Sequence, residues 1–184
     1  MRKPADRYGT IAMTLHWVIV ALIAATFVLA WVLPRRSAPG YEGWLSLHKS
    51  VGLMVLVLAL GRLAWRRVNP VALARGLAPI EVKLSHVTHL LLYAILIIIP
   101  VSGYLFSSWD GEGVTLFGLV HLGTPFTTDR GLARPWELAH RLGQYVVYAI
   151  VGLHVLAALY HYFVKRDQVL QRMLPPAWGA RLRR

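Results

Sequence analysis

The chain has 184 residues, 57% of them hydrophobic, with 20 Lys and Arg against 8 Asp and Glu and no cysteine. So apolar a composition excludes an ordinary soluble domain, and the long apolar runs turn the basic excess away from nucleic acid and toward the loops of a membrane protein. Without cysteine there are no disulfides, thiolate metal sites, cysteine-ligated clusters or haem attached through sulfur.

Four apolar segments follow in chain order: about 10–33, closed by Pro34-Arg35-Arg36; about 44–65, closed by Arg66-Arg67; about 83–109; and about 135–164. Each reaches the roughly 20 residues that a helix needs to span a bilayer and is too long for a barrel strand. The first follows Arg2 and Lys3 like a secretory leader, but its run from Ile11 to Leu33 is too long for a leader's apolar region and reads as a retained helix. Pro100 and Gly103 in "IIIPVSGYLF" predict a kink in the third. With no repeat or low-complexity tract, residues 1–184 read as one domain, an all-α membrane protein built as a four-transmembrane-helix bundle.

The N-terminal tail, the loop between helices two and three and the C-terminal tail carry 14 Lys and Arg and 3 acids; the other two loops carry 6 and 5. The positive-inside rule then puts both termini in the cytoplasm. The longest connection, Asp110 to Arg134, lies outside. Its "VTLFGLVHLG" is apolar enough to lie on the membrane or cap the bundle, and a loop of this length is usually functional.

Eight histidines are present, and ionisable groups in membrane helices generally face the bundle interior and mark function. His140 and His154 are 14 residues apart, hence about 40° apart around one helix and about 21 Å apart along it. His48 lies one turn into helix two from outside, at the depth of His140 in helix four. His16 lies in the first turns of helix one, in the cytoplasmic half with His154. His161 is about 20° from His154 and two turns nearer the cytoplasm, and spacing leaves open which of these two pairs with His16. Two pairs at two depths suit two six-coordinate haems; zinc wants three or four ligands clustered together. The alternative is a set of packed, hydrogen-bonded interhelical histidines. Gly52 and Gly143, near His48 and His140, would let a flat macrocycle approach the backbone, or serve close helix packing.

Several stretches match a known pattern together: "LHW" at His16, "LHKSVG" at His48, "SHVTHLLLYAILIIIPVSGY" in helix three, "WELAHRLGQY" at His140, "GLHVLAALYHYF" at His154 and the tail "KRDQVLQRMLP". Over nearly its whole length the chain resembles the bacterial cytochrome b561 family of di-haem, four-helix proteins, and within it the superoxide oxidases. The resemblance implies two haem b groups, His16 with His154 holding the cytoplasmic-side iron and His48 with His140 the periplasmic-side iron. It implies a multi-pass protein of the bacterial inner (cytoplasmic) membrane that oxidises superoxide to O2 and reduces ubiquinone. A second expectation from the same family is an electron-transfer subunit linking a partner dehydrogenase or hydrogenase to the quinone pool. A third, from another class, is a haem-free transporter or structural membrane protein.

His161 and Thr14, near the inner end, are candidates for the quinone or proton site. His86 and His89, at the start of helix three, read as interfacial packing or snorkelling residues before quinone contacts, and His121 receives no role. Outside, Lys49 and Arg141 directly follow two expected ligands. With Arg130 and Arg134 they could draw a small anion to the site, or they could neutralise haem propionates, while Arg35 and Arg36 anchor a helix end. Asp110, Glu112, Asp129 and Glu137 bring the outer side close to neutral, so any steering there is local.

Overall fold

The computed structural model of the chain describes residues 7–74 and 76–175. Arg2, Lys3, Arg75, Arg181, Arg183 and Arg184, which entered the charge count, lie outside the described residues. Four helices dominate: α1 (Thr10–Val32), α2 (Tyr41–Val68), α3 (Pro79–Trp109) and α4 (Arg130–Tyr160). All four are long and apolar enough to cross a membrane.

Local chemistry extends the helices past the expected bounds. Pro79, whose ring presets the backbone for a first turn, opens α3, and the Glu81 carboxylate accepts the Ala78 N–H at 2.8 Å. Helix α4 starts five residues before Pro135 because Asp129 caps it, accepting the N–H groups of Gly131 and Leu132 at 2.8 and 3.2 Å. Helix α3 continues through Pro100. At its far end α4 passes into a π-helical turn, His161–Lys165, and Arg166 then takes a left-handed conformation (φ 53°) that turns the chain back.

The long connection is not all coil. It contains a two-stranded antiparallel hairpin, β1 (Val114–Leu116) and β2 (Val120–Leu122), with Thr115 opposite His121. Phe117 and Gly118 both have positive φ (49° and 73°), as a tight hairpin turn requires. Phe117 holds that uncommon conformation while its N–H donates to Ser50 Oγ at 2.8 Å. Ser46 and Ser50 donate to the Thr115 carbonyl at 2.9 and 3.2 Å, so α2 carries the hairpin as a cap over one end of the bundle. Strands this short have no periodic signal; the serines of α2 select them.

A polar clamp locks this hairpin end. Lys49 Nζ donates to Ser107 Oγ and to Glu112 Oε2, both at 2.7 Å, and Arg36 reaches Glu112 at 2.7 Å and Asp110 at 3.3 Å. Partial burial pushes the Glu112 carboxyl up, but the Lys49 hydrogen bond and charge, with Arg36, outweigh it and hold the group below its ordinary value. A depressed carboxylate stabilises the fold above its unfolded pKa, and that stabilisation is lost as pH falls through the folded value. Glu112→Gln should therefore cost about 1.5–3 kcal/mol at pH 7, the usual worth of a hydrogen bond to a charged group. Thermal unfolding in detergent should show the gap between wild type and variant closing below about pH 4; an unchanged gap in acid would count against the clamp.

Helix α1 packs on α2, α2 on α3 and α3 on α4. Ile19, Val55, Ala59 and Leu96 join the first three helices in one buried cluster. Of its 31 residues α4 buries only Ala133 and Val147. Large apolar side chains such as Val57, Leu90, Leu153 and Leu156 point outward. In water this would be an aggregating surface; in a bilayer it is the face that meets lipid.

Candidate haem-binding centre

Two histidine pairs stand inside the bundle at two levels. At the hairpin end His48 of α2 and His140 of α4 have ring centroids 6.2 Å apart and planes at 89°. At the terminus end His16 of α1 and His154 of α4 are 6.3 Å apart with planes at 85°. Two imidazoles that share one metal, each about 2 Å from it through a ring nitrogen, stand about 6 Å apart between centroids. Both pairs have that spacing.

The ring of His140 is held in one orientation. Its Nδ1 lies 2.9 Å from the Ile99 carbonyl and 3.4 Å from Ser102 Oγ. A carbonyl only accepts, so Nδ1 carries the proton and Nε2 keeps its lone pair, the state an axial ligand needs. Ser102 is itself buried and donates to Ile99 O at 2.8 Å. Gly103 completes the cradle: a Cβ there would come within 2.9 Å of Cε1 and Nδ1 of His140. His48 differs, since its Nδ1 is buried and makes no hydrogen bond of good geometry, with the Thr26 backbone beside it.

Of the two glycines singled out in the sequence, Gly52 has nothing within 4 Å of a Cβ, and Gly143 meets the flexible tip of Ile99. Gly143 lets the tip of Ile99 approach α4 closely. Gly103, three residues after Pro100 in an apolar run, gave no sign in the sequence of touching a histidine on another helix.

At the terminus end the group is larger than a pair. His89 of α3 sits 5.7 Å from His154 between centroids, with its Nδ1 3.3 Å from Ser85 Oγ. Its neighbours on the same stripe, Tyr93 and Leu96, are buried. That i, i+4, i+7 spacing is the sequence signal that places His89 inward, whereas His86 is exposed. His161 lies apart from this group, with Nδ1 2.5 Å from a carboxylate oxygen of Asp167. No helical period brings residues 161 and 167 together; the π turn and the left-handed Arg166 do. Thr14 lies on the exposed side of α1, about 200° around the helix from His16.

The cations flanking the hairpin-end pair have different surroundings. Lys49 is tied into the clamp with Glu112, while Arg141 is 74% exposed and 3.3 Å from Glu137. Arg134 and Arg141 line a shallow cavity of about 430 Å³ on α4 with Glu137, Gln144 and Tyr145. His121 is exposed on the hairpin, its Nδ1 3.0 Å from Thr115 Oγ1.

A family model described as prokaryotic cytochrome b561 matches residues 7–176. Cytochrome b561 homolog 2 of Escherichia coli is 30% identical over 177 residues, covering 92% of each chain. A probable superoxide oxidase, CybB, of Yersinia pestis is 30% identical over 178 residues, covering 94% of this chain and 98% of the relative. A cytochrome b562 of Cereibacter sphaeroides is 27% identical over 92% of this chain and 96% of its own. The match spans all four helices and every histidine of both pairs, and the chain belongs to the prokaryotic cytochrome b561 family, whose members are haem-b electron-transfer proteins of the membrane.

Proposed function

We propose that this oxidoreductase holds two b haems, one between His48 and His140 and one between His16 and His154, and oxidises superoxide at one membrane face while reducing ubiquinone at the other. The observation that carries the reading is the pair of matched histidine couples, 6.2 and 6.3 Å between centroids, set about 21 Å apart along α4. Held by two imidazoles, a haem at either couple would supply one-electron transfer rather than O2 binding. The name of the Yersinia relative supports the superoxide assignment.

The charge distribution supports a hairpin end in the periplasm and both termini in the cytoplasm of a bacterial inner membrane. Each superoxide gives up one electron there and leaves as O2. Two electrons, with two protons from the cytoplasmic side, convert one ubiquinone to ubiquinol. Arg134, exposed on the α4 turns before His140, provides local positive potential for the incoming anion; Lys49 and Arg141 are each paired with a glutamate, and Lys49 positions the hairpin instead. His161, joined to Asp167, holds and moves a proton at the cytoplasmic end. Thr14, on the outward face of α1, would meet a quinone only from the lipid side.

A superoxide pulse on oxidised, haem-loaded protein tests this, with the haem absorbance followed over milliseconds. Reduction close to the diffusional ceiling of about 10⁸–10⁹ M⁻¹s⁻¹, abolished by superoxide dismutase and reversed by added ubiquinone, is the expected result. Slow or absent reduction would sink the superoxide reading and turn the search to a dehydrogenase or hydrogenase that donates the electrons. Colourless protein would sink both.

A further inference from the structure

Helix α2 carries His48 and Arg62 at the same 14-residue interval that separates His140 from His154 on α4. Both helices run from the hairpin end to the terminus end, so Arg62 stands at the level of His154 on the side of α2 that bears His48. At this level every helix contributes an ionisable group to the bundle interior: His16 of α1, Arg62 of α2, His89 of α3 and His154 of α4. The guanidinium lies near enough to act by charge on all three imidazoles. It also stacks 5.7 Å over the ring of Tyr93.

This corner has no anion among the described residues. The ionisable groups acting on Arg62 are two phenols, Tyr93 and Tyr8, and a second cation, Arg66. Tyr93 is 8% exposed, and its hydroxyl is buried without a hydrogen-bond partner. A guanidinium at membrane depth demands an opposite charge, and a buried phenol demands an acceptor. One carboxylate answers both. The hairpin-end level differs, because its nearest cation, Lys49, is paired with Glu112.

We propose that Arg62 and the Tyr93 hydroxyl bind a carboxylate of the haem held between His16 and His154, fixing the rotation of the macrocycle and raising the reduction potential of that site. This rests on the two-haem reading. An oxygen anion could also come from a quinone head group, and the measurement below separates the two sources.

The test uses full-length, haem-loaded protein in quinone-free detergent, as wild type, Arg62→Leu, Arg62→Lys and Tyr93→Phe. Haem is counted first by pyridine haemochrome; midpoints then come from spectroelectrochemistry and the propionate bending bands from resonance Raman. In Arg62→Leu one midpoint should fall by about 59 mV or more, tenfold in a one-electron equilibrium, while the other stays. Arg62→Lys should recover most of that shift. Tyr93→Phe should give a smaller fall and move the same propionate band. Should Arg62→Leu lose haem, Tyr93→Phe carries the test, since it deletes a single oxygen. Two haems with unmoved midpoints and unmoved propionate bands overturn this proposal alone. A shift that arises only on adding quinone also overturns it and assigns the anion to the quinone. A wild type with one haem overturns the two-haem reading and this proposal with it.

Discussion

His140→Ala is expected to give a folded membrane protein with one haem in place of two, and His48→Ala the same. These two rings form one couple, 6.2 Å between centroids, and the other couple lies about 21 Å further along α4, too far to feel either truncation directly. The remaining haem should keep its own α-band and midpoint, so the difference spectrum between wild type and either variant should be the same. Ubiquinone reduction by superoxide should fall by more than the roughly 10–100-fold that follows loss of an outer-shell partner, because the electron would lose its first stop. His16→Ala should remove the complementary spectrum. Pyridine haemochrome counts and low-temperature α-bands would check all three. Loss of both haems from a His140→Ala protein that is still folded would break the pairing, as would different residual spectra for the His48 and His140 variants.

Enlarging Gly103 should do nearly as much damage without touching a ligand. A Cβ at this position comes within 2.9 Å of the His140 ring, and that ring cannot retreat while Nδ1 is held by the Ile99 carbonyl at 2.9 Å. Overpacking of this kind costs about 1–3 kcal/mol, and here it is directed onto a proposed haem ligand. Gly103→Ala should weaken haem retention at the hairpin-end couple about 10–100-fold, and Gly103→Val should abolish it with the other haem unaffected. Gly61→Ala is the control: its Cβ meets nothing within 4 Å, and exchanging Gly for Ala in a helix gains up to about 1 kcal/mol. Full retention of two haems in Gly103→Val would show that α3 yields at Pro100 and that the cradle is not rigid.

The proposed charge at Arg62 and the clamp at Lys49 bear on the same question, which way the electron runs. A cation paired within the protein, as Lys49 is with Glu112 at 2.7 Å, adds little net field to its neighbourhood. A cation without a protein carboxylate favours the added electron. Among the described residues the two ends of the bundle differ in this respect, as the proposed inward flow requires.

Much of this was legible in the chain itself. Four runs of apolar residues determine four membrane helices, because the bilayer demands that every backbone polar group be bonded within the segment. The interval of 14 on α4 puts His140 and His154 on one face, because helical geometry leaves no alternative. Matching depths then nominate His48 as the partner of His140; for His16 they leave His154 and His161 open, and the structure sets it 6.3 Å from His154. The helix bounds were less legible, since Asp129 and Glu81 extend α4 and α3 by capping chemistry that apolarity alone does not register.

Contacts between elements distant in sequence were decided only by the tertiary structure. The hairpin exists because Ser46 and Ser50 of α2 bond its backbone, and its three-residue strands have no pattern of their own. Asp167 meets His161 through a π turn that no helical period describes. Gly103 meets His140, and His89 meets His154, across helices 37 and 65 positions apart in sequence. Sequence periodicity fixes which face of a helix a residue occupies; which neighbour that face meets depends on how the helices pack, and packing is a property of the whole bundle.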